Sequence, residues 1–211
     1  MGYTTILDIL GSMIIGGILT LTAWRLSDAA TEKTYSNSSE LALQQNLVTV
    51  AQILENDFRK IGYALDQTSF LPGTGRSLSI PYADSSSIWF YTDLVTPDHP
   101  FGDGDMDSIH YYLGPTSECA NTPNPRDRIL YRVVNTDTPM PCNLGVTQFR
   151  MVYYDATDDT LATPLTRADI GLISTIEINI TVENVAAYND SGYSGAFWRQ
   201  IRLASRNINT R

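Results

Sequence analysis

Residues 1–24 are apolar on every side of a helix, with Asp8 the one charge among them. Ile6, Leu7, Ile9, Leu10, Met13, Ile14, Ile15, Ile18, Leu19 and Leu21 leave no polar face. At about 1.5 Å per residue this stretch spans roughly 36 Å, enough to cross a hydrocarbon core of about 30 Å. Trp24 and Arg25 make an interfacial end: an amphipathic ring, then a cation on a long apolar stem. Residues 25–37 turn polar but contain neither proline nor glycine, so nothing forces a break. Apolar positions then recur at steps of three and four, at Leu43, Leu47, Val50, Leu54, Phe58 and Ile61, with Glu40, Gln44, Glu55 and Arg59 between them. The pattern predicts one helix from about residue 3 to 61, roughly 90 Å long. Gly62 ends it, with Arg59 and Lys60 suited to the negative end of its dipole. Ser36, Asn37, Ser38 and Ser39 are its weakest helix formers.

After Gly62 the period switches from helical to two, punctuated by Gly, Pro, Asp and Asn. Strands are predicted over 77–81, 87–94, 107–113, 129–134, 146–154, 175–182 and 198–205. The clearest alternation puts Ile176, Ile178, Ile180 and Val182 on one face. Phe149, Met151 and Tyr153 form a second such face, and Ile201 with Leu203 a third. The predicted class is α+β: a long N-terminal helix, apolar in its first half and amphipathic in its second, packed on an antiparallel β-sheet head. The expected division is 1–24, an apolar membrane or filament-core helix; 25–62, its continuation packing on the head; and 63–211, the β-rich head. Residues 114–128 and 155–174 are expected as surface loops.

Composition narrows the function. The chain is 43% hydrophobic and 18% charged, which is globular rather than disordered. Its net charge is −9 and no basic stripe exists, which argues against nucleic acid as the main ligand. A signal peptide would open with a basic region, and no Lys or Arg precedes Arg25.

Within the apolar helix, Ser12, Gly16 and Thr20 are spaced by four and share one face, a pattern that lets helix backbones approach closely. Gly16 and Gly17 form a weak point, each costing about 1 kcal/mol relative to Ala. An acid in such a helix costs about 2.5–3.5 kcal/mol, so Asp8 calls for a cation. The α-amino group of Met1, its own or a neighbour's, is the candidate.

Cys119 and Cys142 lie in Pro/Asn/Thr-rich segments. With no CxxC pair and only His99 and His110 besides, a structural zinc site is excluded and one disulfide is expected. Such a bridge would contribute about 3–4 kcal/mol. Asp103, Asp105 and Asp107 alternate as in a calcium loop, but Ser108 and Gly114 stand where an EF-hand needs Gly and Glu. They remain a secondary calcium candidate, and no cofactor is assigned. Gly192-Tyr193-Ser194-Gly195-Ala196 lacks the last glycine of a nucleophile elbow, so no enzyme site is read here. Asn37, Asn179 and Asn189 open glycosylation sequons.

Taken together, the chain resembles the type IV pilin and pseudopilin superfamily. The apolar N-terminus and the continuous helix carry the resemblance. So does Asn56-Asp57-Phe58-Arg59-Lys60-Ile61-Gly62-Tyr63, which is similar to the helix ending of minor pilins and J-type pseudopilins. Asp107-Ser108-Ile109-His110-Tyr111-Tyr112, Phe149-Arg150-Met151-Val152-Tyr153-Tyr154-Asp155 and the terminal Ser205-Arg206-Asn207 extend it over nearly the whole chain. The sequence departs from the family in lacking a basic leader and in carrying Thr5 where the family has an acid, with Asp8 about one turn later. The resemblance implies a non-enzymatic structural subunit that polymerises through its apolar helix. Its partners would be copies of itself in a helical filament and an inner-membrane assembly machinery. It would sit in the inner membrane before assembly and in an extracellular filament on the bacterial surface afterwards. Two alternatives stand beside this: a minor pseudopilin of a secretion or pilus machine, and a membrane-tethered binding module, for which Asp8 and the small-residue face have no use.

Overall fold

A computed structural model of the chain describes residues 2–66, 68, 78–183, 188–189, 192–193 and 196–204. It divides into two compact units, Met1–Ala42 and Leu43–Arg211. This division follows compactness; the expected boundaries at 24/25 and 62/63 follow chemistry.

The described residues of the first unit, from Gly2 on, are all helical. They belong to α1, which runs Gly2–Phe58. The helix passes through Gly16-Gly17 and through the Ser/Asn cluster at 36–39 without interruption. Three hydroxyls in its apolar part donate back to backbone carbonyls one turn earlier: Ser12 Oγ to Ile9 O at 2.9 Å, Thr20 Oγ1 to Gly16 O at 2.8 Å and Thr22 Oγ1 to Leu19 O at 2.9 Å. Side chains satisfied in this way can enter apolar surroundings without an orphaned donor.

The second unit begins where the stripe of apolar positions begins. Leu43, Leu47, Val50, Ala51, Leu54, Phe58 and Ile61 are all buried. α1 ends at Phe58, three residues before the predicted end. Lys60 N to Asp57 O and Ile61 N to Phe58 O continue the chain as tight turns. Gly62 takes φ +72°, the left-handed conformation that suits glycine, and its N–H bonds Tyr91 O at 2.9 Å. The helix end is thereby tied to a strand.

Ten strands are described: β1 (Tyr82–Ala83), β2 (Ser87–Thr92), β3 (Asp107–Leu113), β4 (Arg128–Val134), β5 (Met140–Tyr154), β6 (Thr160–Leu161), β7 (Thr175–Glu183), β8 (Tyr188–Asn189), β9 (Gly192–Tyr193) and β10 (Ala196–Leu203). Eight form one antiparallel sheet in the order β1-β2-β3-β4-β5-β7-β10, with β6 on β5, while β8 and β9 pair separately. The predicted α+β class is the observed one.

The alternation read from the sequence is the burial pattern of the sheet. Ile176, Ile178, Ile180 and Val182 of β7, Phe149, Met151 and Tyr153 of β5, and Ile201 and Leu203 of β10 are buried in the same core as the helix stripe. Three differences stand out. The strand predicted over 77–81 is not formed by its described residues, Ser79 instead accepting from Tyr91 N. β5 begins at Met140, six residues early, because it first pairs with β4 and then, past a bulge, with β7. A four-residue helix α2 (Arg167–Ile170), closed by a capping box of Thr166 and Asp169, occupies the loop expected at 155–174. The expected end of the last strand at 205 and the residues 206–207 lie outside the described residues.

Leu54 has no solvent exposure and belongs to the core that the helix stripe shares with the sheet. Leu54→Ala is expected to lower unfolding stability by about 3–5 kcal/mol in denaturant titrations of the detergent-solubilised chain.

Candidate assembly helix and buried charge clusters

The helical unit exposes its apolar residues. Ile6, Leu10, Met13, Ile14, Ile18, Leu21 and Trp24 are each more than half exposed. One helix among the described residues is long and apolar enough to cross a membrane. Asp8, Ser12, Gly16, Gly17 and Thr20 are all exposed on it. A Cβ added at Gly11, Gly16 or Gly17 would meet nothing within 4 Å. These glycines therefore have no packing reason within their own chain. Among the described residues no cation pairs with Asp8; its candidate partner Met1 lies outside them.

The second unit holds two buried charge clusters that the sequence pattern did not reveal. Asp57, near the end of α1, is 4% exposed. Its Oδ2 accepts from the Tyr111 hydroxyl of β3 and from Arg132 Nε of β4, both at 2.6 Å. Burial, reinforced by the negative charge of Asp57, pushes the Tyr111 phenol far up, so it remains a donor. Phe58 beside it packs against Phe90 and Tyr111, with ring centroids 5.4 and 5.7 Å away. The polar lock and the aromatic contacts join the helix end to β2, β3 and β4.

The other cluster sits where the 114–128 connection meets β7. Glu183 accepts from Asn124 Nδ2 at 2.9 Å and pairs with Arg126 Nη2 at 3.1 Å. Asp127, 1% exposed, has no hydrogen-bond partner on either carboxylate oxygen. Burial raises its pKa, and the nearby charge of Glu183 adds to the rise. Thr122 and the Arg128 amide, close by but outside hydrogen-bonding geometry, pull the other way.

Neither the disulfide of Cys119 and Cys142 nor the secondary calcium candidate in the acidic loop is seen in this structure. The cysteines are free thiols, so the expected bridge is not formed. They have different surroundings. Cys119, on a 3-10 turn (Thr116–Cys119), is buried beside Asp127 and Glu118, whereas Cys142 on β5 lies near Arg132 and Asp57. Burial raises both thiol pKa values, which disfavours the reactive thiolate. Asp103, Asp105 and Asp107 do not converge as a calcium site; no metal-holding group of three such side chains exists among the described residues. Asp103 Oδ1 accepts from Asp105 N, and Asp107 accepts from Leu94 N and Asn135 Nδ2. The loop instead wraps Asp93, a fully buried carboxylate that accepts from the amides of Leu65, Asp103 and Gly104. Gly102, at φ +95°, has no room for a Cβ against that carboxylate. Of the sequons, Asn37 lies within α1, and Asn179 lies in β7, its amide donating to Glu177 Oε1 at 3.0 Å. Ser194 and Gly195 of the near-elbow motif lie outside the described residues.

No protein-family model and no curated protein matches the chain. Among solved structures it is similar to a type IV-like pilin from Thermus thermophilus, at 13% identity and a TM-score of 0.43, covering 79% of this chain and 98% of that one. A superposition this loose assigns no family.

Removing one partner from the buried Asp57 lock strands the other charge. Asp57→Ala is expected to cost about 3–5 kcal/mol of stability, while the combined change Asp57→Leu, Tyr111→Phe, Arg132→Met recovers most of it, as read by denaturant unfolding. Asp127 reports on pH. Its folded pKa lies above the unfolded value, so the site penalises folding when ionised, and stability is regained as pH falls through the folded pKa. Asp127→Asn should therefore stabilise the chain at pH 7, with the gain shrinking as pH falls into the ordinary carboxylate range in thermal melts.

Proposed function

We propose that this chain is the structural subunit of a type IV pilus-like extracellular filament, polymerising through its apolar N-terminal helix and not acting as an enzyme. One observation carries the reading. A continuous helix bares large apolar side chains from Tyr3 to Leu26, and its glycines touch nothing in their own chain. Exposing that surface to water is prohibitive, and moving it from lipid to other helices costs little. The helix would hold the subunit in the inner membrane until an assembly machinery withdraws it. In the filament, Ser12, Gly16 and Thr20 would be the close-contact face and Asp8 would pair with an α-amino group, that of Met1 or of a neighbour. Gly16-Gly17 would let the helix extend locally.

Electron microscopy of purified material separates fibres from detergent-bound monomers. Asp8→Asn and Gly16→Leu are each expected to reduce fibre yield at least about tenfold, with the head still folded by circular dichroism. Normal fibres from Asp8→Asn would sink the charge-pairing claim. Detergent-bound monomers and no fibres from the unaltered chain would favour the membrane-tethered binding module.

A further inference from the structure

The connection from β3 to β4 is poor in hydrogen-bond donors. Its last part reads Cys119-Ala120-Asn121-Thr122-Pro123-Asn124-Pro125-Arg126-Asp127. Pro123 and Pro125 each remove an amide donor and keep a carbonyl. Several of the donors that remain are spent within the loop or on β7. Thr122 N bonds Cys119 O at 2.9 Å, and Asp127 N bonds Asn124 O at 3.1 Å. Arg126 N bonds Asn124 Oδ1 at 3.0 Å, and Asn124 Nδ2 bonds Glu183 Oε2 at 2.9 Å. The Thr122 hydroxyl lies 2.8 Å from Cys119 O and 3.2 Å from Asn124 O, so its single proton goes to a carbonyl.

Asp127 is left with oxygens for neighbours. Its carboxylate is 1% exposed, and neither oxygen has a hydrogen-bond partner. It lies close to the Thr122 hydroxyl and within the field of Glu183, itself 6% exposed at the end of β7. Glu183 is answered by Arg126 at 3.1 Å. Asp127 has no such counter-charge among the described residues. An ionised carboxylate held out of water among acceptors is costly unless something positive joins it.

The donor set selects the ion. Two carboxylates, a hydroxyl and main-chain carbonyls are hard oxygen donors, the mixture that calcium takes in flexible geometry. Magnesium keeps several of its waters, and a carboxylate 1% exposed gives them little room. Zinc would need nitrogen or thiolate. The one sulfur nearby, Cys119, is kept as a thiol by its burial and by the charges of Asp127 and Glu118. We propose that Asp127, together with Glu183, the Thr122 hydroxyl and the carbonyls of Cys119 and Asn124, binds a calcium ion that ties the β3–β4 connection to the end of β7. The site belongs to the second unit alone and holds whether or not the chain forms a filament.

The test is thermal unfolding of the full chain in a neutral detergent at pH 7 and constant ionic strength, in chelator, in calcium and in magnesium, with calorimetric titration of calcium alongside. About 5 mM calcium is expected to raise the melting midpoint by about 5 °C or more over chelator, and magnesium by much less. Asp127→Asn should melt at or above the parent in chelator, which shows that it folds, and gain nothing from calcium. Glu183→Gln should weaken calcium binding about tenfold or more, equivalent to roughly 1.4 kcal/mol. The double change Asp103→Asn, Asp105→Asn, in the other acidic loop, should keep the full response. The proposal is overturned if the parent melts alike in calcium and chelator, the result expected if a proton or a water fills the gap beside Asp127. It is equally overturned if Asp127→Asn keeps the calcium response, if the Asp103, Asp105 double variant loses it, or if magnesium matches calcium.

Discussion

Asp57 sits where a helix must be held against a sheet, and much of the second unit depends on how it is held. Its carboxylate is buried and accepts from groups on two different strands. Apolar packing alone would let the helix slide, because a stripe of Leu and Val fits a greasy sheet in more than one register. A buried carboxylate has one low-energy position, since any other strands three polar groups away from water. The apolar stripe supplies the bulk of the stabilisation, and the lock makes one register cheaper than its neighbours. Phe58 fills the space beside the lock, and Gly62 N–H closes the chain onto Tyr91 O, so the helix end is fixed by three kinds of contact within six residues of chain.

Periodicity carried far because both layers of the core are regular. The helix stripe and the faces of β5, β7 and β10 were legible because each residue's burial is decided by its own position in a period of 3.6 or 2. Failures fell where a residue's fate is decided by a distant partner. Asp57 and Arg132 look like ordinary surface charges in sequence and meet only because the sheet brings β4 under the helix end. Asp93 is hidden for the same reason, its acceptors being filled by amides ten and more residues away. The Asp103–Asp107 alternation invited a metal, yet the acids serve the turn itself, an economy open to any short acidic loop.

The cysteines mark the limit of composition as a guide. Two thiols in loop-like segments imply a bridge only if the fold brings their β-carbons within reach. Here one neighbours acidic groups at the start of β4 and the other the Asp57–Arg132 lock; Cys119 is buried and Cys142 partly so, and burial raises the pKa of both. Free, buried cysteine behaves as a modest hydrophobe.

The two units differ in how far the chain explains itself. From Leu43 onward, most of the large apolar residues have an intrachain neighbour that accounts for them, and the buried polar ones have partners, with Thr92 and Asp127 the exceptions among the described residues. Before Ala42 nothing of the kind holds. Large apolar side chains stand exposed, glycines sit where alanine would fit and would stabilise the helix, and an acid stands without a described cation. Sequence that costs stability and meets nothing in its own chain is shaped by something outside it. Lipid alone would account for the leucines and isoleucines. It would not account for Gly16 and Ser12 on one face, which matter only where another backbone comes close, nor for Asp8, which lipid penalises. Those departures from a plain anchor are the reason to look for the rest of this structure in a neighbouring helix.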